Sequence, residues 1–109
     1  MTPEEFVKEF WLLKESDVNG ALDFNNQRLT SKLVKDMGLT DVQHRQLREV
    51  LDAVLTDALY TVLLGLDGEA NIGERQMPYR IYDEDNNELT GSGDIEAYAY
   101  GYFQEKGRS

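Results

Sequence analysis

Residues 40–66 read TDVQHRQLREVLDAVLTDALYTVLLGL. From Leu47 to Leu66 the apolar side chains recur in alternating steps of three and one: Leu47, Val50, Leu51, Val54, Leu55, Ala58, Leu59, Val62, Leu63, Leu66. That is the stripe of an amphipathic helix and not the alternation of a strand. Thr40 and Gln43 form a capping box, and Asp41 places a negative charge in the first turn, where the helix dipole favours it. Gly65 and Gly68 mark the exit. A helix over Asp41–Leu64 is about 36 Å long at 1.5 Å per residue. Burying eight of its side chains at roughly 1.5–3 kcal/mol each gives on the order of 12–24 kcal/mol gross, most of which chain entropy takes back. No other segment offers as much, so the rest of the chain is expected to pack on this helix.

Ahead of it, Thr2-Pro3-Glu4-Glu5 starts a first helix over Pro3–Glu15. Phe6, Phe10 and Leu13 line one face, with Val7 and Trp11 beside them; Trp11 reads as a core anchor. Ser16 to Gly20 reads as a turn. Asn25 or Asn26 caps a second helix with Leu29, Leu33, Val34 and Met37 as its inner face and Gly38 as its C′ residue. Arg28, Lys32 and Lys35 form a basic stripe on its outer face, read as solvated.

Behind the central helix the period disappears. Residues 67–74 read as a loop. Tyr79 to Tyr82 suits a short strand, Asp83 to Asn87 a turn, and Glu88 to Thr90 the returning strand of a hairpin. Gly91-Ser92-Gly93 ends it, and Ile95, Tyr98, Ala99, Tyr102 and Phe103 fall at helical spacing. The alternation of Tyr98, Tyr100 and Tyr102 keeps a strand reading open for that last segment. The expected fold class is α+β: three N-terminal helices around a long central helix, a short β-hairpin and a C-terminal helix, in a single domain over residues 1–109.

Charge narrows the partners. The chain carries 21 acids and 11 bases, a net of −10. Residues 1–22 contribute −3, residues 23–66 contribute −1 (six acids, five bases) and residues 67–109 contribute −6 (ten acids, four bases). Nucleic acid and anionic membranes need Lys and Arg, so neither is an expected partner. A basic protein is the natural complement. There is no cysteine, which removes disulfides and thiolate metal sites and fits a reducing cytoplasm, the expected location. No leader of basic-then-apolar type and no membrane-spanning run is read in the sequence.

Chemistry finds little to stand on. His44 is the single histidine, so any Ser-His-Asp or Cys-His arrangement would have to use it, and it sits among polar residues at the start of the central helix. Asp83, Asp85 and Asn87 match positions one, three and five of a calcium loop. Position six is Glu88 where Gly is needed, and position twelve is Asp94 where Glu is needed. Gly91-Ser92-Gly93 lacks the lysine of a phosphate cradle. No catalytic residue, metal site or cofactor is expected.

The notable excess is tyrosine with acid. Tyr79, Tyr82, Tyr98, Tyr100 and Tyr102 share 24 residues with Asp83, Glu84, Asp85, Glu88, Asp94 and Glu96. Tyrosine gives contact area at low entropy cost, and carboxylates meet Lys and Arg. Asp83, Glu84, Asp85, Glu88, Tyr98 and Tyr100 are the expected partner-binding residues. In its size, its acidity and the stretch Tyr79–Phe103, the chain resembles bacterial immunity proteins, which neutralise a toxin domain by direct binding. From Gly68 through Tyr79-Arg80-Ile81-Tyr82-Asp83-Glu84 to Leu89 it also looks like small uncharacterised bacterial proteins. The resemblance implies a non-enzymatic inhibitor of a basic toxin or nuclease. The alternatives are a structural or adaptor subunit of a homo-oligomer, using the aromatic surface, and a small metal-dependent enzyme.

Overall fold

A computed structural model describes residues 1–106, which form four α-helices, a π-helical turn and no strand. The α+β expectation is therefore overturned, and the architecture is all-α.

Helix α1 (Pro3–Leu22) starts on the Thr2 capping box: the Thr2 hydroxyl accepts the Glu5 N–H at 3.1 Å, and the Glu5 carboxylate accepts the Thr2 N–H at 3.0 Å. It runs past the expected stop at Glu15 and through residues 16–20. Val18, Ala21 and Leu22 continue the buried face begun by Val7 and Lys14, and this packing outweighs the local turn preference. Leu13, expected to face inward, is exposed.

Helix α2 (Leu29–Asp36) has Arg28 at its N-cap without a side-chain bond. Asn26 instead accepts the Arg28 N–H at 3.1 Å. Ser31 and Val34 point inward, and the buried Ser31 hydroxyl donates to the Gly20 carbonyl at 2.6 Å. With Ser31 bonded to α1 and Val34 packed beside Val18 and Leu22, Leu29, Leu33 and Met37, three of the four expected inner residues, face solvent. Gly38, at φ +61°, takes the left-handed conformation that ends the helix.

Helix α3 (Asp41–Leu66) is 26 residues long, about 39 Å, and opens on the Thr40–Gln43 capping box. Thr56, Leu63 and Gly65 are its buried residues; Leu47, Leu51, Leu55 and Leu59 are half-buried, while Val42, Val50 and Val54 are exposed.

The expected hairpin reduces to one antiparallel bridge between Tyr82 and Glu88. The Leu89 N–H reaches the Ile81 carbonyl at 2.8 Å and the Asp83 N–H reaches the Asn87 carbonyl at 3.1 Å. The ladder stops there because side chains take the next donors. The Thr90 hydroxyl accepts the Ile81 N–H at 3.1 Å, and the Asp83 carboxylate accepts the N–H groups of Asp85 and Asn87, each at 2.9 Å. Pro78, just before, has no donor to offer.

Two contacts tie this irregular segment to α3. A Cβ on Gly65 would overlap the Ile72 side chain, so the glycine is the slot into which Ile72 packs. Asp67 accepts the Gly91 N–H at 2.9 Å and the Glu96 N–H at 3.2 Å. Glu96 lies in the first turn of α4 (Asp94–Ala99), whose N-cap is Gly93. Asp67 thus caps α4 across 29 residues, where Gly93 has no side chain to do so. The chain continues as a π-helical turn over Tyr100–Lys106, so the segment from Tyr98 to Phe103 is helical and not extended.

Two apolar clusters result. Val7, Leu63, Leu89, Ile95, Ala99 and Phe103 form the larger, and Val18, Leu22 and Val34 the smaller, beside Leu47, Leu51 and Leu55. Between Val7 and Val18 on α1 lies Lys14, 1% exposed. Its Nζ is 3.2 Å from Asp52 of α3, 3.3 Å from Glu15 and 5.1 Å from the centre of the Trp11 ring. No described helix is long and apolar enough to cross a membrane.

Leu63→Ala is expected to cost about 2–5 kcal/mol, and Gln46→Ala, on the exposed face of α3, no more than about 0.5 kcal/mol. Equal denaturant midpoints for the two would contradict the core assignment. Asp52→Ala leaves the buried Lys14 with Glu15 and the Trp11 ring and is expected to cost on the order of 1–3 kcal/mol. The double change Lys14→Met with Asp52→Asn removes both charges and should recover most of that loss; urea melts of the single and double variants measure the difference.

Candidate functional site

The acidic turn is built by one of its own carboxylates. Asp83 receives N–H bonds from Asp85 and Asn87, and the Asn87 side-chain amide donates to it at 3.1 Å. The amino group of Met1 lies 2.8 Å from its second oxygen. With its side chain 9% exposed, Asp83 is occupied by the turn. The Met1 amine, then the Asn87 donors, hold its carboxyl well below the usual carboxylate range. The same bond raises the Met1 amine above its ordinary 8.0.

Glu84, Asp85 and Glu88 are exposed, and among the described residues none of their carboxylates has an ion-pair or hydrogen-bond partner. Tyr82 stands opposite Glu88 across the single bridge, 49% exposed. Tyr79, Arg80, Glu88 and Ser92 line a shallow cleft of about 550 Å³ alongside the turn. The Met1 contact also brings the turn to the start of α1, where Glu5 joins Asp83 and Asp85 around the amine. Glu5 and Asp83 are 78 positions apart, and no spacing pattern announces their meeting. The Glu5 carboxyl is lowered by its bonds to Thr2.

Tyr98 and Tyr100 are not among the residues that line this cleft. They are 40% and 53% exposed, and two residues apart on a helix they project to different sides. Tyr100 lies near Tyr60 of α3 and Glu96; burial first, then these two neighbours, raises the Tyr60 hydroxyl above its ordinary value. Tyr102 is half-buried, its ring 6.3 Å from that of Trp11. The expected site residues therefore fall into three settings: Glu84, Asp85 and Glu88 free on the turn, Asp83 inside it, and the two tyrosines on α4 and its extension.

His44 is half-buried and meets the Phe24 ring edge-on at 5.7 Å. Among the described residues no three His, Asp or Glu side chains converge in a way that could hold a metal ion. The Asp83 oxygens that matched a calcium loop in sequence are aimed at N–H donors. No protein-family model matches this chain, and neither a curated protein nor a solved structure does.

The Asp83–Met1 contact gives a pH signature. Asp83 titrates below its ordinary 3.8 when folded, so its contribution is complete above that value and is lost as pH falls through the folded one. The Met1 amine titrates above 8.0 when folded, so its contribution is complete below 8.0 and is lost as pH rises through the folded value. Urea midpoints measured across the acid and alkaline ranges should decline on both sides for the wild type. Asp83→Ala should lower the plateau and shrink both declines, and Glu84→Ala should alter neither. Superimposable profiles for wild type and Asp83→Ala would contradict the role of the contact.

Proposed function

We propose that this chain is a non-enzymatic binding protein of the immunity type, acting in a reducing cytoplasm, that neutralises a basic toxin or nuclease domain by covering it. The supporting observation is a division of labour in the last third of the chain. Leu89, Ile95, Ala99 and Phe103 fill the core, while Tyr79, Tyr82, Tyr98 and Tyr100 stay 36–53% exposed. These tyrosines are not used to fill the core, and they stand on a segment of net charge −6. Large amphipathic rings with carboxylates are what a surface gripping Lys and Arg requires.

On this reading Asp83 is a positioning residue. Its internal bonds hold the turn in one shape, so Glu84, Asp85 and Glu88 are presented without an ordering cost on binding. Tyr82 and the cleft beside Glu88 receive the partner's side chains. The acids substitute for phosphate groups against a nuclease surface, and no cofactor takes part.

Exposed ion pairs are worth only about 0–1 kcal/mol each, so single substitutions have small effects. The triple variant Glu84→Gln, Asp85→Asn, Glu88→Gln should slow association with a basic partner recovered from the native host by several-fold at low salt, and flatten the salt dependence. Thermal stability should hold, because Asp83 is untouched. The test is association rate against ionic strength for wild type and triple variant. Equal rates at low salt would remove the acidic turn from the interface.

A further inference from the structure

Leu29, Leu33 and Met37 recur every fourth residue on α2 and its C-cap, the spacing of a buried helix face, yet they are 71%, 56% and 58% exposed. Among the described elements α2 lies against α1 alone, so no other helix covers this stripe. A basic row runs beside it. Arg28, Lys32 and Lys35 are exposed, and Lys32 and Lys35 have no ion-pair partner among the described residues. Arg28 is held at the start of the row by Asp17, 3.2 Å away. Lys32, three residues on from Leu29 and four from Arg28, is a surface neighbour of both and joins the row to the stripe. Where the row begins, an apolar groove of about 330 Å³ opens, with Arg28 and Thr30 on one side, Val54 and Leu55 of α3 on the other and Val18 of α1 beneath.

We infer that α2 is a docking surface for an acidic amphipathic helix of another protein. The partner's apolar residues, one turn apart, lie along Leu29, Leu33 and Met37, and its carboxylates meet Lys32 and Lys35. Charge selects the sign of this occupant. From Arg28 to Asp36 three bases meet one acid, a net of +2 in a chain of net −10. Beyond a Debye length of about 8 Å the rest of the chain is screened, so a helix in contact with α2 meets the local sign and not the total. Two copies of α2 laid face to face would set these bases against one another, so the surface is not complementary to itself.

Shape selects a helix over a lipid surface. A helix is narrow enough to lie along two turns of α2 and to seat a side chain in the groove, as helix-in-groove recognition requires. A bilayer is flat and leaves the groove unfilled. An anionic bilayer also extends past α2 and meets the acidic remainder of the chain. Asp36, three residues on from Leu33 and on the same side of the helix, would be carried toward the acyl chains with the stripe, whereas at the edge of a protein contact it stays in water.

The probe is a synthetic helical peptide of about 18 residues, with leucines one turn apart and glutamates beside them, titrated with the full chain and read by fluorescence anisotropy. A peptide of the same composition with the period scrambled is the control. The periodic peptide should bind on the order of tenfold tighter than the scrambled one at physiological salt. Leu33→Asp should abolish that difference. Lys32→Glu with Lys35→Glu should weaken the periodic peptide by on the order of tenfold and leave the apolar stripe intact. All these side chains are exposed, so the helical circular dichroism should be retained. Vesicles of phosphatidylserine and phosphatidylcholine should leave the chain in the supernatant. Equal binding of the two peptides, or binding untouched by either variant, would overturn the inference. Vesicle binding without peptide binding would give the face to lipid, and a peptide-free mass of twice 12.5 kDa that Leu33→Asp halves would give it to a second copy; either overturns it as well. Glu84, Asp85 and Glu88 are untouched by these variants, so failure here is separate from failure of the acidic turn to bind a basic partner.

Discussion

A helix about 39 Å long has to be covered by a chain too short to surround it, and most of this structure follows from that mismatch. Over the C-terminal half of α3 the covering is thorough. Helix α1, helix α4, the π-helical turn and Leu89 close around Leu63, and six side chains there reach near-complete burial. Over the N-terminal half only the end of α1 and the short α2 remain, so the second cluster has three buried members and leans on half-exposed leucines of α3. The radius of gyration, 16.1 Å, exceeds the roughly 13 Å of a compact chain this size for the same reason. Lys14 lies between the two clusters, where a continuous core would place a leucine. Its ion pair with Asp52 joins α1 to α3 at that point.

The acidic charge of the last third is partly structural. A segment of more than twenty residues without helix or strand must still satisfy its backbone N–H groups. Asp67 takes two of them, at Gly91 and Glu96, and Asp83 takes two more, at Asp85 and Asn87. Thr90 takes the one at Ile81. Carboxylates are strong acceptors for such donors, so acids here do what a neighbouring strand does in a sheet. Counting charge alone therefore overstates the acidity free to meet a partner. With Asp67 and Asp83 subtracted, eight of the ten acids of residues 67–109 remain, Glu84, Asp85 and Glu88 among them.

The same bookkeeping explains which features could be read from the sequence. The two capping boxes and the extent of α3 are local, and they appear where the pattern places them, but the expected burial of eight stripe residues does not: Leu63 is buried, while Val50, Val54 and Ala58 are exposed and Thr56, off the stripe, is buried. The rotation of α2 is not local. Ser31 meets the Gly20 carbonyl of α1 and Val34 packs beside Val18 and Leu22, and a helical stripe carries no record of either contact. The missing hairpin has the same origin: the residues favour strand, but the Thr90 and Asp83 side chains compete for the donors. Of the candidate site, the exposure of Glu84, Asp85 and Glu88 could be anticipated from a polar turn. The inward use of Asp83 could not, because its partner Met1 is 82 residues away.

Helix α1 relates the two surfaces. Its start meets the acidic turn through Met1 and Asp83, and its end meets α2 through Gly20 and Ser31. Twenty residues of helix put about 30 Å between those contacts, well over the Debye length of about 8 Å at physiological salt. The charge of the acidic turn is therefore screened from the exposed Leu29, Leu33 and Met37 on α2, beside which the basic residues Arg28, Lys32 and Lys35 stand.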